Sequence, residues 1–150
     1  NSYYLWRYFQ DVAPLGYVIG RETREAYLAR ALPEYPAFQY VNHELSPATK
    51  IYLLFVGRRV YHCEREYFHD GGDLPGFLLR TIREAKEPVD ITRQLKAKGL
   101  THLLVRDELL TRFLHDNLDA PQQRLWADFT TNHLTSLFRD RGYSVWQLHG

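Results

Sequence analysis

Ile51-Tyr52-Leu53-Leu54-Phe55-Val56, set between Lys50 and Gly57, is an unbroken apolar run. It is too short for a helix and rich in strand formers, so it reads as a strand. It does not alternate with polar residues, so both of its faces must be covered. That is the signature of a central strand in a parallel sheet. His102-Leu103-Leu104-Val105 repeats the pattern further along. Between them lie two helical stretches. Pro75 opens one that runs through Leu78, Leu79 and Ile82 to about Ala85. Asp90 is expected to cap the next, with Ile91 and Leu95 inward and Gly99 at its end. Two buried strands separated by helices predict adjacent, parallel strands.

Working outward, Arg21 to Leu32 reads as a helix stopped by Pro33. Pro36 opens another, with Phe38, Val41 and Leu45 at helical spacing, ended by Ser46-Pro47. Arg58 to Arg65 is a short helix or a loop, and Glu66-Tyr67-Phe68-His69 a short strand. The connection between this strand and the first is shorter than the dozen or so residues of a parallel crossover. The second strand is therefore either tiny or antiparallel. Downstream, Leu109, Leu110, Phe113 and Leu114 mark a short helix. Pro121 opens a longer one, carried to Gly142 by a stripe of Leu125, Phe129 and Leu137 with Leu134 and Phe138 beside it. Tyr143 to Leu148 alternates and closes the chain as a strand. The expected architecture is α/β: a small three-layer Rossmann-like sheet of about four strands, mostly parallel, with helices on both faces.

The chain has 150 residues, enough for a single domain with its own core. Apolar residues make up 45% and charged residues 25%, which excludes a disordered chain. The net charge is +1 with acids and bases interspersed, which argues against a nucleic-acid partner. The single Cys63 excludes an internal disulfide and leaves the compartment open. The sequence starts at Asn1, contains no Met, and holds Tyr3, Tyr4, Trp6, Tyr8 and Phe9 in its first positions. These features read as a fragment of a longer chain, with residues 1–20 a membrane-proximal segment, because such rings favour the membrane interface. Packing of the same rings on the domain is the alternative.

Chemistry-bearing residues are sparse. Gly57-Arg58-Arg59 follows the first buried strand, and ligands of open α/β sheets bind beyond the carboxyl ends of strands. Gly57, Arg58, Arg59, Tyr61 and Arg65 therefore form the candidate ligand site. Guanidiniums and free backbone N–H groups suit a phosphate, and the Tyr61 ring suits a sugar face. The competing reading is a surface turn whose arginines pair with Glu64, Glu66 or Asp70. Gly71-Gly72-Asp73-Leu74-Pro75-Gly76 lacks both phosphate-loop patterns and reads as a turn. His62, Cys63 and His69 lack zinc spacing, so no metal is assigned. Trp126, Phe129, Phe138 and Trp146 lie at core-facing spacing. There is no nucleophile elbow and no sortable pair of carboxylates, so no catalytic residue and no cofactor are assigned.

Several segments together resemble a known family. They are "PLGYVIGRETREAYLARALPEYPAFQYVN" from Pro14 to Asn42, "SPATKIYLLFVGRRVYHCEREYF" from Ser46 to Phe68, "LKAKGLTHLLV" from Leu95 to Val105, and the closing "RGYSVWQLHG". The pattern resembles the C-terminal soluble domain of bacterial polytopic membrane glycosyltransferases of the dolichyl-phosphate-mannose protein mannosyltransferase type. In that family the catalytic acid lies in the membrane part, so no catalytic residue carries over. The resemblance implies an accessory extracytoplasmic, periplasmic domain of an inner-membrane enzyme that uses a polyprenyl-phosphate sugar donor. Its partners are then the membrane catalytic domain of the same chain, and the donor or acceptor. A stand-alone module binding a phosphate or sugar, and a purely structural or interaction domain, are the alternatives. The fragment alone is expected to transfer no sugar.

Overall fold

The computed structural model describes residues 32–56, 59–70 and 75–149. The aromatic segment Asn1–Phe9 and the helix expected from Arg21 lie outside them. The elements run α1 (Tyr35–Glu44), β1 (Lys50–Leu54), a single 3-10 turn (Arg59–His62), β2 (Glu66–His69), α2 (Gly76–Glu84) and α3 (Pro88–Ala97). Then follow β3 (His102–Arg106), α4 (Asp107–Asn117), α5 (Ala120–His133), β4 (Leu134–Asp140) and β5 (Tyr143–Leu148). The strands make one sheet in the order β2-β1-β3-β5-β4.

β1 and β3 are neighbours and parallel, with Ile51 opposite His102 and Leu54 opposite Val105. Both are internal strands, and Ile51 through Leu54 are buried on alternate faces. Tyr52, Leu54, Leu103 and Val105 pack against Leu78 and Ile82 of α2, Ile91 and Leu95 of α3, Phe113 of α4 and Phe129 of α5. Ile51, Leu53, Leu104 and Val145 pack on the other face against Ala37, Phe38 and Val41 of α1. Two apolar clusters on opposite faces are why the strand sequences do not alternate. Each fully buried side chain of this size contributes about 1.5–3 kcal/mol, which makes β1 and β3 the anchor of the fold.

The structure departs from the sequence reading in two places and decides an open alternative in a third. The sheet has five strands, and it is mixed: β2, β1 and β3 are parallel, whereas β5 runs antiparallel to β3 and to β4. The additional strand is β4, where a continued helix was expected. The helix stops because Thr130-Thr131-Asn132-His133 are poor helix formers. A bulge between Ser136 and Phe138 breaks the two-residue alternation of β4. Leu134 thus faces one cluster while Leu137 and Phe138 pack on the other, a spacing that imitates a helical stripe. Secondly, of the two alternatives for β2 the tiny strand is the one found: Glu66–His69 is parallel to β1, with Lys50 opposite Glu66. The chain crosses from β1 to β2 through the 3-10 turn in place of a full helix. Thirdly, Glu87 is the N-cap of α3, and Asp90 sits three residues inside. Its carboxylate accepts from the backbone N–H groups of Glu87 and Lys86, both at 3.0 Å, which lowers its pKa.

Candidate functional site

The crossover from β1 to β2 carries Val60 and Cys63 onto the α1 face of the sheet. The chain leaves β3 toward the opposite face, where α4 and α5 pack. The carboxyl ends of β1 and β3 are adjacent, so the chain diverges to opposite faces between them. That divergence is where open α/β sheets form a ligand crevice. Phe55 and Val56 bound it on one side, Arg106 and Asp107 on the other. Phe55 holds φ at 63°, in the left-handed region, and its ring packs on Phe113 at 5.6 Å. A bulky residue in this conformation costs about 1–2 kcal/mol, so the exit from β1 is strained.

Of the five residues expected to form the site, Gly57 and Arg58 lie outside the described residues. The backbones of Arg59 and Tyr61 form the 3-10 turn, and their side chains are outside the description. Arg65 is described. Its Nε and Nη2 donate to the Leu45 carbonyl at 3.2 and 2.9 Å, and Nη2 also reaches the Asn42 carbonyl. The guanidinium thus caps the carbonyl end of α1, where backbone acceptors lack helical partners. Asn42 joins the same region from α1: its Nδ2 donates to the His62 carbonyl and its Oδ1 accepts from the Glu64 N–H, each at 2.7 Å. The His62 ring meets Tyr35 edge-on at 5.5 Å. Asn42, His62 and Arg65 hold the crossover rigidly against α1. Sequence reasoning missed Asn42, because its partners lie 20 or more positions away.

Two of the carboxylates suggested as partners of Arg58 and Arg59 have partners among the described residues. Asp70 Oδ2 accepts from the Tyr52 hydroxyl at 3.1 Å and from the Phe77 N–H at 2.8 Å. Glu66 pairs with Lys50 at 3.6 Å. Cys63 donates to the Arg65 carbonyl, and burial pushes its thiol pKa up, which disfavours the reactive thiolate. Among the described residues, no three His, Cys, Asp or Glu side chains gather into a metal site.

At the opposite, amino edge of the strands lies a hollow of about 310 Å³ lined by Ser46, Thr49, Thr101 and His102. Burial holds the His102 pKa down, and its Nδ1 is 2.8 Å from the Thr101 hydroxyl. Thr101 in turn bonds both backbone groups of Lys50, so this constellation ties β1 to β3.

No family model and no curated protein sequence matches the chain. A solved structure shares the fold. It is the C-terminal globular domain of an oligosaccharyltransferase from Archaeoglobus fulgidus. The alignment has a TM-score of 0.53 at 9% identity and covers 78% of this chain and 97% of that one. At that identity the likeness is one of fold. Among the described residues, no helix is long and apolar enough to cross a membrane.

Proposed function

We propose that this chain is an accessory extracytoplasmic domain of a membrane glycosyltransferase, without catalytic residues of its own. The observation that supports it is the fold likeness to a C-terminal globular domain of an oligosaccharyltransferase over 97% of that domain. The sequence segments quoted above point the same way through a different family, the protein mannosyltransferase type. In this reading the domain lies on the periplasmic side, beside the membrane catalytic unit of its own chain. It helps to place the acceptor or to cover the active site, and the donor is a polyprenyl-phosphate sugar.

The turn after β1 is the proposed contact point, through Gly57, Arg58, Arg59 and Tyr61. Arg65 holds the base of the turn against α1. Its position at the divergence of β1 and β3 supports the assignment. The test has two parts. In the parent enzyme, Arg58→Ala with Arg59→Ala should reduce sugar transfer while the protein remains folded. Titration of this chain with a polyprenyl-phosphate sugar analogue should show binding that the double variant weakens by about tenfold or more, since charge-assisted bonds contribute roughly 1.5–3 kcal/mol each. Unchanged transfer together with equal affinities would leave the turn as structure only. Binding of free inorganic phosphate as tight as that of the analogue would instead favour a stand-alone small-ligand module.

A further inference from the structure

A second concavity lies beyond β3, between α4, α5 and the β4–β5 hairpin, with a volume of about 330 Å³. That is within the range of small-molecule sites, roughly 300–1,000 Å³. Its lining is neither an apolar groove nor a charged patch. Two indoles, Trp126 and Trp146, share it with Asp107, Arg139, Ser144 and Thr130. Trp126 is almost wholly buried against Phe129, whereas Trp146 is only half-buried.

The polar groups are held in place by the sheet. Ser144 donates its hydroxyl to Asp107 Oδ2 at 2.9 Å, and Arg139 Nε lies 3.5 Å from the same oxygen. The Asp107 N–H donates to the Gly142 carbonyl at 2.8 Å, fixing the carboxylate at the start of α4. The Asp107 side chain keeps part of its surface exposed, so its carboxylate can also accept from a ligand. Asp107 and Arg139 neutralise one another, so the cleft offers donors and acceptors without net charge. A phosphate would meet the carboxylate, and a hydrocarbon would strand the polar groups.

We propose that this cleft binds a pyranose ring. A pyranose has one apolar face of C–H groups and a rim of hydroxyls that both donate and accept. The half-buried indole of Trp146 offers a flat apolar surface to the first. The Asp107 carboxylate, the Ser144 hydroxyl and the exposed Arg139 guanidinium suit the second. Trp146, Ser144 and Arg139 all stand on paired strands, which gives the site a rigid base. The inference does not rest on the proposed role of the domain and applies to the chain by itself.

The test is titration of the 15N-labelled chain with D-glucose, D-mannose, D-galactose and N-acetyl-D-glucosamine, with glycerol as an acyclic control, followed by NMR. The expected result is a saturable shift of the Trp146 indole N–H and of the Asp107 and Ser144 amides by at least one pyranose. Affinity is expected in the millimolar range, at roughly −4 kcal/mol. Trp146→Ala should weaken binding about tenfold. Thr111 is exposed at the cleft rim, so Thr111→Trp should abolish binding by filling the cleft without disturbing the core. No saturable shift from any of the four sugars, an equal response to glycerol, or shifts that persist in Thr111→Trp would each overturn the proposal.

Discussion

At Arg65 a single side chain closes the end of a helix that lies 20 positions upstream. Arg65→Ala leaves the Leu45 and Asn42 carbonyls without these donors and should cost about 1.5–3 kcal/mol, the range for a charged hydrogen bond. Arg65→Lys should recover only part, because an ammonium cannot present the planar fork that reaches both carbonyls. Urea unfolding of the three proteins checks this, and a loss in Arg65→Ala no larger than that of an exposed alanine variant would contradict it. Tyr52 carries a pH-dependent term. Its phenol is buried, and its hydroxyl donates to Asp70, so burial first and the Asp70 charge second push its pKa well above the ordinary value near 10. The unfolded chain then loses this proton at lower pH than the folded one. Stability from this group is complete below about pH 10 and is lost as pH rises beyond it. Tyr52→Phe should cost roughly 1 kcal/mol at neutral pH and should flatten the alkaline decline. Stability measured from pH 7 to 11 reads both effects, and an unchanged decline in the variant would show that another group causes it.

The β4–β5 hairpin turns on Arg141 and Gly142, with φ of 52° and 83°. Both values are positive, as a type I′ hairpin turn requires. An added Cβ at Gly142 would meet nothing within 4 Å, so Gly142→Ala carries a conformational cost alone. That cost should be about 1–2 kcal/mol, or roughly 2–8 °C in Tm for a domain of this size. A Tm unchanged by Gly142→Ala would mean that the turn adopts another form. The same hairpin shows where the sequence was legible. β1, β3, α1 and α2 were read correctly because each is decided locally: an unbroken apolar run, or a Pro followed by a helical stripe. β4 was not, because its bulge replaces the strand period with a three-and-four spacing that helices share. Asp140-Arg141-Gly142-Tyr143 was the available signal, since a Gly after two polar residues beside an alternating strand suits a hairpin as well as a helix end. The N-cap of α3 was misplaced for a related reason. Asp90 and Glu87 each bond the other's backbone, so either acid fits a capping pattern until Pro88 is recognised as the first helical residue.

For the whole molecule, the two candidate sites share one edge. The turn after β1 and the cleft beyond β3 both lie at the carboxyl ends of the parallel strands, and β5 delivers the chain end to the opposite edge, where the Leu148 N–H bonds the Thr101 carbonyl. The end of β1, from which the turn departs, was legible in its apolar run. The cleft was not, since Asp107, Trp126 and Trp146 come from separate elements that meet only once β5 pairs with β3. Under the proposed role, the carboxyl edge faces the membrane catalytic unit and the amino edge faces away. Arg106 and Gln147 are both exposed and mark the two edges. In the parent chain carrying Cys63→Ser, Arg106→Cys should therefore cross-link to the catalytic unit through a short thiol-to-amine reagent, and Gln147→Cys should not. Cys63 is half-buried with its thiol pKa raised, so replacing it removes a poorly reactive group, the single thiol of this sequence. Neither substitution touches the core, because both side chains point to solvent, so a failure to cross-link reports distance and not misfolding. Cross-linking from Gln147→Cys with none from Arg106→Cys would reverse the orientation and remove both candidate sites from the enzyme's working face. Cross-linking from neither would detach the domain from the catalytic unit and leave the stand-alone binding module as the better account.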